Sequence, residues 1–192
     1  MGPQRQRGVL RAPPVGLDVD ALAIAVVDLV ERHESLRTVV DAIDGIPHQV
    51  VLPVDDVDTG WQIVDGAGWS ERQLDEAVDG ATRYCLNLAT EIPIRTSLFA
   101  LAPDDHVLVI VVHHIAGDGW SIAVLAADLW AAYDARRSGQ SPAAPPLPVQ
   151  YADYAVWQRD RLSGERLARE SAFWRETLQG APSLLELPTD RK

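Results

Sequence analysis

The chain has 192 residues, 47% of them hydrophobic, with one cysteine and a formal net charge of −11. That length suits one large domain or one lobe of a larger enzyme, with apolar material for a substantial core. The acidic balance disfavours attraction to nucleic acid or anionic lipid, no apolar run of about 18 residues suggests a membrane span, and a lone Cys85 excludes an intrachain disulfide and fits a reducing, cytoplasmic setting.

The opening "MGPQRQRGVLRAPPVG" is basic and rich in Pro and Gly but has no apolar h-region, so it is no signal peptide and is expected to be a poorly ordered segment, residues 1–16. A helix is expected from Asp18 to His33: Asp18 suits the N-cap, and Leu22, Val26, Leu29 and Val30 share a face. "TVVDAIDGIPHQVVLP" reads as two strands joined across Asp44-Gly45, and Pro53 with the acids after it as a surface loop. Ser70 with Gln73 three residues on forms a capping-box pattern for a second helix, expected over Ser70 to Cys85 with the cysteine inside it. Ile94–Leu101 and Val107–His113 read as a hairpin turning at Pro103-Asp104-Asp105. Val107 to Val112 is apolar on both faces, so this strand belongs at the centre of a sheet with layers above and below.

A third helix is expected from Ser121 to Arg137, with Ile122, Leu125, Leu129 and Tyr133 on one stripe. "SGQSPAAPPLPVQ" is a Pro-rich extended connector, and two helices broken at Gly164 follow before an extended end, residues 181–192. Interleaved strands and helices with an antiparallel hairpin indicate an α/β fold, a mixed sheet covered by helices, over residues 17–180. Trp120, Trp130, Trp157 and Trp174 lie at helical positions and read as core, and His33, His48 and His106 as surface or turn residues.

The chemistry concentrates in "VLVIVVHHIAGDGWS", Val107 to Ser121. Successive strand side chains point to opposite faces, so only one of His113 and His114 can face a given cavity while both stay extended. The pair therefore makes a poor metal site with Asp118, which also lacks HExxH or CxxC spacing. Asp118 lies between Gly117 and Gly119, in a tight turn feeding the next helix, and either caps that helix or pairs with a cation. Arg37 is the candidate cation. Ser121 either caps the same helix or touches substrate. Spacing alone leaves open whether the histidine at the strand end serves structure or catalysis.

"HHIAGDGWS" resembles the HHxxxDG motif of nonribosomal peptide synthetase condensation domains. "ERHESLRT", "YADYAVWQR" and "FWRETLQGAPSLLELPTDR" resemble further segments of that family, in the same order, from about Leu17 onward. Missing is the family's opening segment of the type SxAQxRLWxL. The resemblance implies a chloramphenicol-acetyltransferase-like lobe, half of a two-lobed domain whose C-terminal lobe would follow residue 192. It implies His114 as the active histidine, His113 and Gly119 as its neighbours in the site, and Asp118 paired with Arg37, with Ser121 in support. The implied reaction is amide formation between carrier-bound aminoacyl or peptidyl thioesters. No cofactor would be bound directly, since substrates ride on the phosphopantetheine of partner carrier domains. Other implied partners are the second lobe and an adjacent adenylation domain, with self-association through the exposed lobe face. Adjacent histidines speak against the heterocyclising branch, and "DGWS" fits peptide-bond-forming members that join two L-residues better than epimerising ones. Two alternatives stand beside this: a stand-alone CoA-dependent acyltransferase, working as a trimer, and a non-catalytic carrier-docking fragment.

Overall fold

The structure, a computed structural model, describes residues 5–11 and 16–184. Contacts divide the chain into two units, residues 1–151 and 152–192.

The first unit is built on a four-stranded sheet in the order β1-β6-β5-β4. β1 spans Arg5–Arg11, β4 Gln62–Asp65, β5 Ile94–Ala102 and β6 Asp105–His113. β6 runs antiparallel to both β1 and β5, and β4 is parallel to β5, so the sheet is mixed. The expected hairpin is present, with a register irregularity between Ala100 and Ala102 just before the turn.

β6 is central, and its period-two pattern sorts its side chains into two cores. Leu108, Ile110 and Val112 join Ile94 and Leu98 in a cluster with α1 (Val19–Arg32) and α3 (Gly119–Arg137). Val107, Val109 and Val111 join Phe99 against α2 (Glu71–Thr82). Helices thus cover both faces, and β6 reads as an unbroken apolar run because it has no solvent side. Each fully buried leucine here contributes about 1.5–3 kcal/mol.

The helix starts follow local chemistry. The Asp18 carboxylate accepts from the Ala21 N–H at 2.9 Å, and Ser70 and Gln73 close both bonds of their capping box. The separate hairpin β2 (Thr38–Ile43) and β3 (Ile46–Val51) turns at Asp44 and Gly45, with φ of 52° and 78°, the left-handed pair that a two-residue turn of this hand needs.

The outer edges of α1 and α3 are tied by ion pairs. Arg136 grips Asp28 through two bonds of 2.6 and 2.7 Å, and Asp128 accepts from Arg32 at 2.9 Å and from His33 at 2.7 Å. Burial works to raise the Asp128 carboxyl, but the His33 and Arg32 bonds outweigh it and hold it below its ordinary value. The Pro-rich connector lies over this edge: Arg32 donates to the Pro145 carbonyl, and the Gln150 amide donates to the Arg32 carbonyl at 3.0 Å. A cavity of about 560 Å³ lies between connector and helices, and the Arg136–Asp28 and Arg32–Asp128 pairs are among its lining.

Several expectations are corrected. Residues 5–11, expected to be poorly ordered, form β1, because a central strand needs its second edge paired and the local composition does not register that demand. β4 and a 3₁₀ turn at Glu34–Arg37 were also not anticipated. Cys85 lies beyond the end of α2 and is exposed. His106 is buried in β6, and His33 is half-buried at the C-cap of α1.

The second unit consists of α4 (Tyr151–Arg161), which starts at the boundary, and α5 (Gly164–Thr177). Neither helix has a buried residue, and Trp157 and Trp174, expected in a core, are exposed at 53% and 56%. Their rings pair locally, Tyr154 with Trp157 and Phe173 with Trp174. Most of the expected terminal extended segment, residues 185–192, lies outside the described residues.

Candidate active site

β6 ends at His113, and the chain leaves the sheet in a turn closed by the Ala116 N–H donating to the His113 carbonyl at 2.9 Å. The two histidines therefore separate in a way that strict alternation does not describe. His113, still on the strand, is half-buried; His114, on the turn, is exposed.

Their ring nitrogens are assigned by what each faces. The His113 Nδ1 accepts from the Ile115 N–H at 3.1 Å, so its proton sits on Nε2. The His114 Nδ1 lies 3.0 Å from the Gly117 carbonyl, which can only accept, so Nδ1 carries the proton and donates it. In the neutral His114 ring the lone pair is then on Nε2. Adjacent histidines thus hold opposite tautomers, each set by backbone of the same turn.

Gly117 makes this turn possible by close approach. A Cβ there would sit 3.2 Å from the Ser121 Cβ, tighter than ordinary contact. Gly119 differs: its φ is not positive, and a Cβ would meet nothing within 4 Å. Gly119 therefore does not shape the turn; it opens space at the start of α3.

Asp118 is the N-cap of α3. Its carboxylate accepts from the Ser121 N–H at 3.0 Å and from the Ser121 hydroxyl at 2.8 Å, while the Ser121 oxygen accepts from the Asp118 N–H at 3.1 Å. Serine here plays the part that Glu or Gln takes in the usual capping box. Ser121 is accordingly a capping residue. The expected Asp118–Arg37 pair is not formed among the described residues. The Arg37 guanidinium pairs with Glu34 at 3.2 Å within its own 3₁₀ turn and donates to the Leu52 carbonyl just after β3.

The bonds from Ser121, backbone first and hydroxyl second, hold the Asp118 carboxyl below the usual carboxylate range. A depressed folded-state pKa means that the cap's contribution is present above the ordinary carboxylate range and is lost as pH falls through the lowered value. Asp118→Ala is expected to lower the melting temperature at pH 7, and Asp118→Asn to do so little, since Asn caps as well as Asp. Thermal melts from neutral pH into acid check this; an Ala variant as stable as the Asn variant at pH 7 counts against the cap.

Trp120, expected in the core, is 85% exposed at the second position of α3. The signal was available: from Gly119 to Ala127 no residue is charged, so α3 begins apolar on its outer side as well as its inner one. Among the described residues no group of three or more His, Cys, Asp or Glu converges to hold a metal, and no helix is long and apolar enough to cross a membrane.

A family model described as "Condensation domain" matches residues 8–192. The chain is 51% identical over 180 residues to an isonitrile lipopeptide synthase of Mycobacterium tuberculosis, covering 91% of this chain and 7% of that protein. It is 45% identical over 179 residues to a dimodular nonribosomal peptide synthase of Bacillus subtilis, with the same coverage of each. Among solved structures, the X-domain from teicoplanin biosynthesis superposes with a TM-score of 0.89 at 35% identity, over 100% of this chain and 42% of that one. The epimerization domain from the third module of tyrocidine synthetase B gives 0.83 at 25% identity, over 97% and 42%. The chain therefore spans under half of these solved domains and a small fraction of the synthetases.

Proposed function

The chain belongs to the condensation-domain family, and from that premise we propose that it supplies the histidine-bearing half of an active site forming amide bonds between carrier-bound thioesters. The α-amine of an acceptor aminoacyl group attacks the carbonyl carbon of a donor thioester. The tetrahedral intermediate collapses, the carbon–sulfur bond breaks, and the donor's phosphopantetheine leaves as a thiolate. The amine's proton passes to His114 Nε2 and from there to the thiolate, so nothing is left unbalanced. The donor is already activated, and no serine or cysteine nucleophile is required.

The observation that carries this reading is the tautomer of His114. With Nδ1–H donated to the Gly117 carbonyl, Nε2 is the acceptor nitrogen of the neutral ring, the atom able to take a proton or a hydrogen bond from the attacking amine. His113 supports the turn from behind through Ile115, and Asp118 and Ser121 anchor the helix that follows. Arg37, bonded to Glu34 and to the Leu52 carbonyl, supports the site through the fold.

Partners follow from the chemistry: carrier domains that bring both substrates on phosphopantetheine, an adenylation domain that loads them, and a C-terminal lobe that closes the cleft. The setting is the cytosol, within secondary-metabolite assembly of the kind that makes peptide antibiotics. "DGWS" in place of "DGVSW" favours condensation of L-residues over epimerisation. A stand-alone CoA-dependent acyltransferase and an inert docking fragment are not favoured, since the relatives in which this segment recurs are multidomain synthetases.

His114 is exposed, and the chain spans only 42% of the solved domains it superposes on. Residues 1–192 alone are therefore expected to form no amide product from carrier-loaded donor and acceptor, followed by mass spectrometry of the carriers. Product that disappears on His114→Ala in the isolated chain would show that this half suffices. Joined to the remainder of its domain, the same segment is expected to condense; failure there overturns the assignment.

A further inference from the structure

The first nine residues of α3, Gly119 to Ala127, carry no charge, and a helix apolar all round is covered on every side in its working state. The inner side is covered: Leu125 packs on the core, with Ile122 and Ala126 close to Ile110 and Val112. The outer side is open. Trp120 is 85% exposed and Val124 46%, and Ala123 and Ala127 are exposed between them.

These side chains and Gly119 form a groove of about 520 Å³ that starts at the turn carrying His114 and ends at Asp128. At a helical rise of 1.5 Å per residue it is about 12 Å long. The indole stands as one wall, two alanines leave the floor low, and Gly119 leaves the entrance clear. The carboxylate at the far end is already matched by Arg32 and His33, so the groove recognises apolar groups. The volume falls within the roughly 300–1,000 Å³ of small-molecule sites.

We propose that this groove is a side-chain subsite, taking the apolar part of the thioester-bound aminoacyl group whose reacting end lies at His114, with Trp120 and Ala123 setting how large that part can be. The proposal rests on the condensation reading and adds to it a place for specificity. Trp120 is held there by the Asp118–Ser121 cap, the same device that fixes the helix start beside the histidine turn.

The test uses the chain itself with non-hydrolysable aminoacyl-pantetheine thioethers. One series has a free α-amine, mimicking the acceptor; the other is N-acetylated, mimicking the donor. Binding is followed by ligand-observed NMR of the probes, a readout that the wild type and every variant share. The leucyl probe of one series is expected to bind about tenfold more tightly than its glycyl counterpart, and the series that discriminates names the substrate. Trp120→Ala, which removes the wall, and Ala123→Leu, which fills the floor, should each bring the leucyl-to-glycyl ratio to about one. Both sites are exposed, so folding is retained and circular dichroism verifies it. Equal binding of leucyl and glycyl probes in both series, an unchanged ratio in both variants, or no binding of any probe overturns the subsite. Self-association abolished by Ala123→Glu, without leucyl preference, would assign the face to protein and overturn it too. Failure of the condensation reading is read separately, from amide formation in the complete domain.

Discussion

Replacing His114 by alanine in the complete condensation domain is expected to lower amide formation by about 10²–10⁴-fold, the contribution of a positioned general base, with little change in melting temperature. The two readouts separate because the ring is exposed and its bond to the Gly117 carbonyl is a local one at the surface. His113→Ala should behave differently. That ring is half-buried and accepts the Ile115 N–H, so its loss loosens the turn and lowers stability and rate together. His114→Gln separates two roles for the imidazole. A glutamine amide can place a hydrogen bond near the amine but cannot take its proton at neutral pH, so a rate close to wild type makes His114 a positioner and a rate close to His114→Ala makes it a base. Near-wild-type turnover by His114→Ala would remove the residue from the chemistry altogether.

The second large effect concerns the strand that carries the histidines. Leu108→Ala is expected to destabilise the protein by about 3 kcal/mol, within the 2–5 kcal/mol typical of large-to-small core changes. Leu108 is fully buried in the cluster between the sheet and helices α1 and α3. A fixed sheet and two packed helices cannot close over the void, so the cavity cost adds to the lost transfer energy. Urea denaturation should show a lower midpoint at an unchanged slope. Val109→Ala, one residue on but in the cluster against α2, removes fewer atoms and should cost less. A Leu108→Ala protein with an unshifted midpoint would contradict a β6 packed on both sides.

What the order of residues revealed was whatever depends on short-range chemistry. The helix beginning after Asp18 and the one capped by Ser70 and Gln73 were legible because capping bonds span two or three residues. So was the Asp44-Gly45 turn, since the left-handed backbone there restricts its own residues. The centrality of β6 was legible because a strand with no polar side can sit nowhere else. The two-histidine motif and its family followed from the same local text.

Other features depend on partners far away in the chain. β1 was missed because the demand for it comes from an unpaired edge of β6, about a hundred residues later, and not from its own Arg-rich sequence between Pro- and Gly-rich flanks. β4 was missed for a like reason, being a short strand defined by parallel pairing to β5. The Asp118–Arg37 pair was plausible by charge alone, but Ser121 and Glu34 lie three residues from each partner and satisfy them first. Hydrogen bonds within a turn cost less chain entropy than a pair closing some eighty residues, unless packing has already brought the two groups together. Trp120 shows the converse limit, since helical periodicity names a stripe without saying whether anything covers it.

By itself, the sequence determined the helix starts and their caps, the two hairpins, the apolar strand and the chemical identity of the turn after it, because each is set by bonds among neighbours. Only the tertiary structure decided which histidine is presented to solvent, which ring nitrogen holds the lone pair, what Asp118 binds and that a groove opens beside it. Those depend on where the strand ends relative to its paired edges and on which backbone groups then come within hydrogen-bonding reach, and both are settled by packing across the chain.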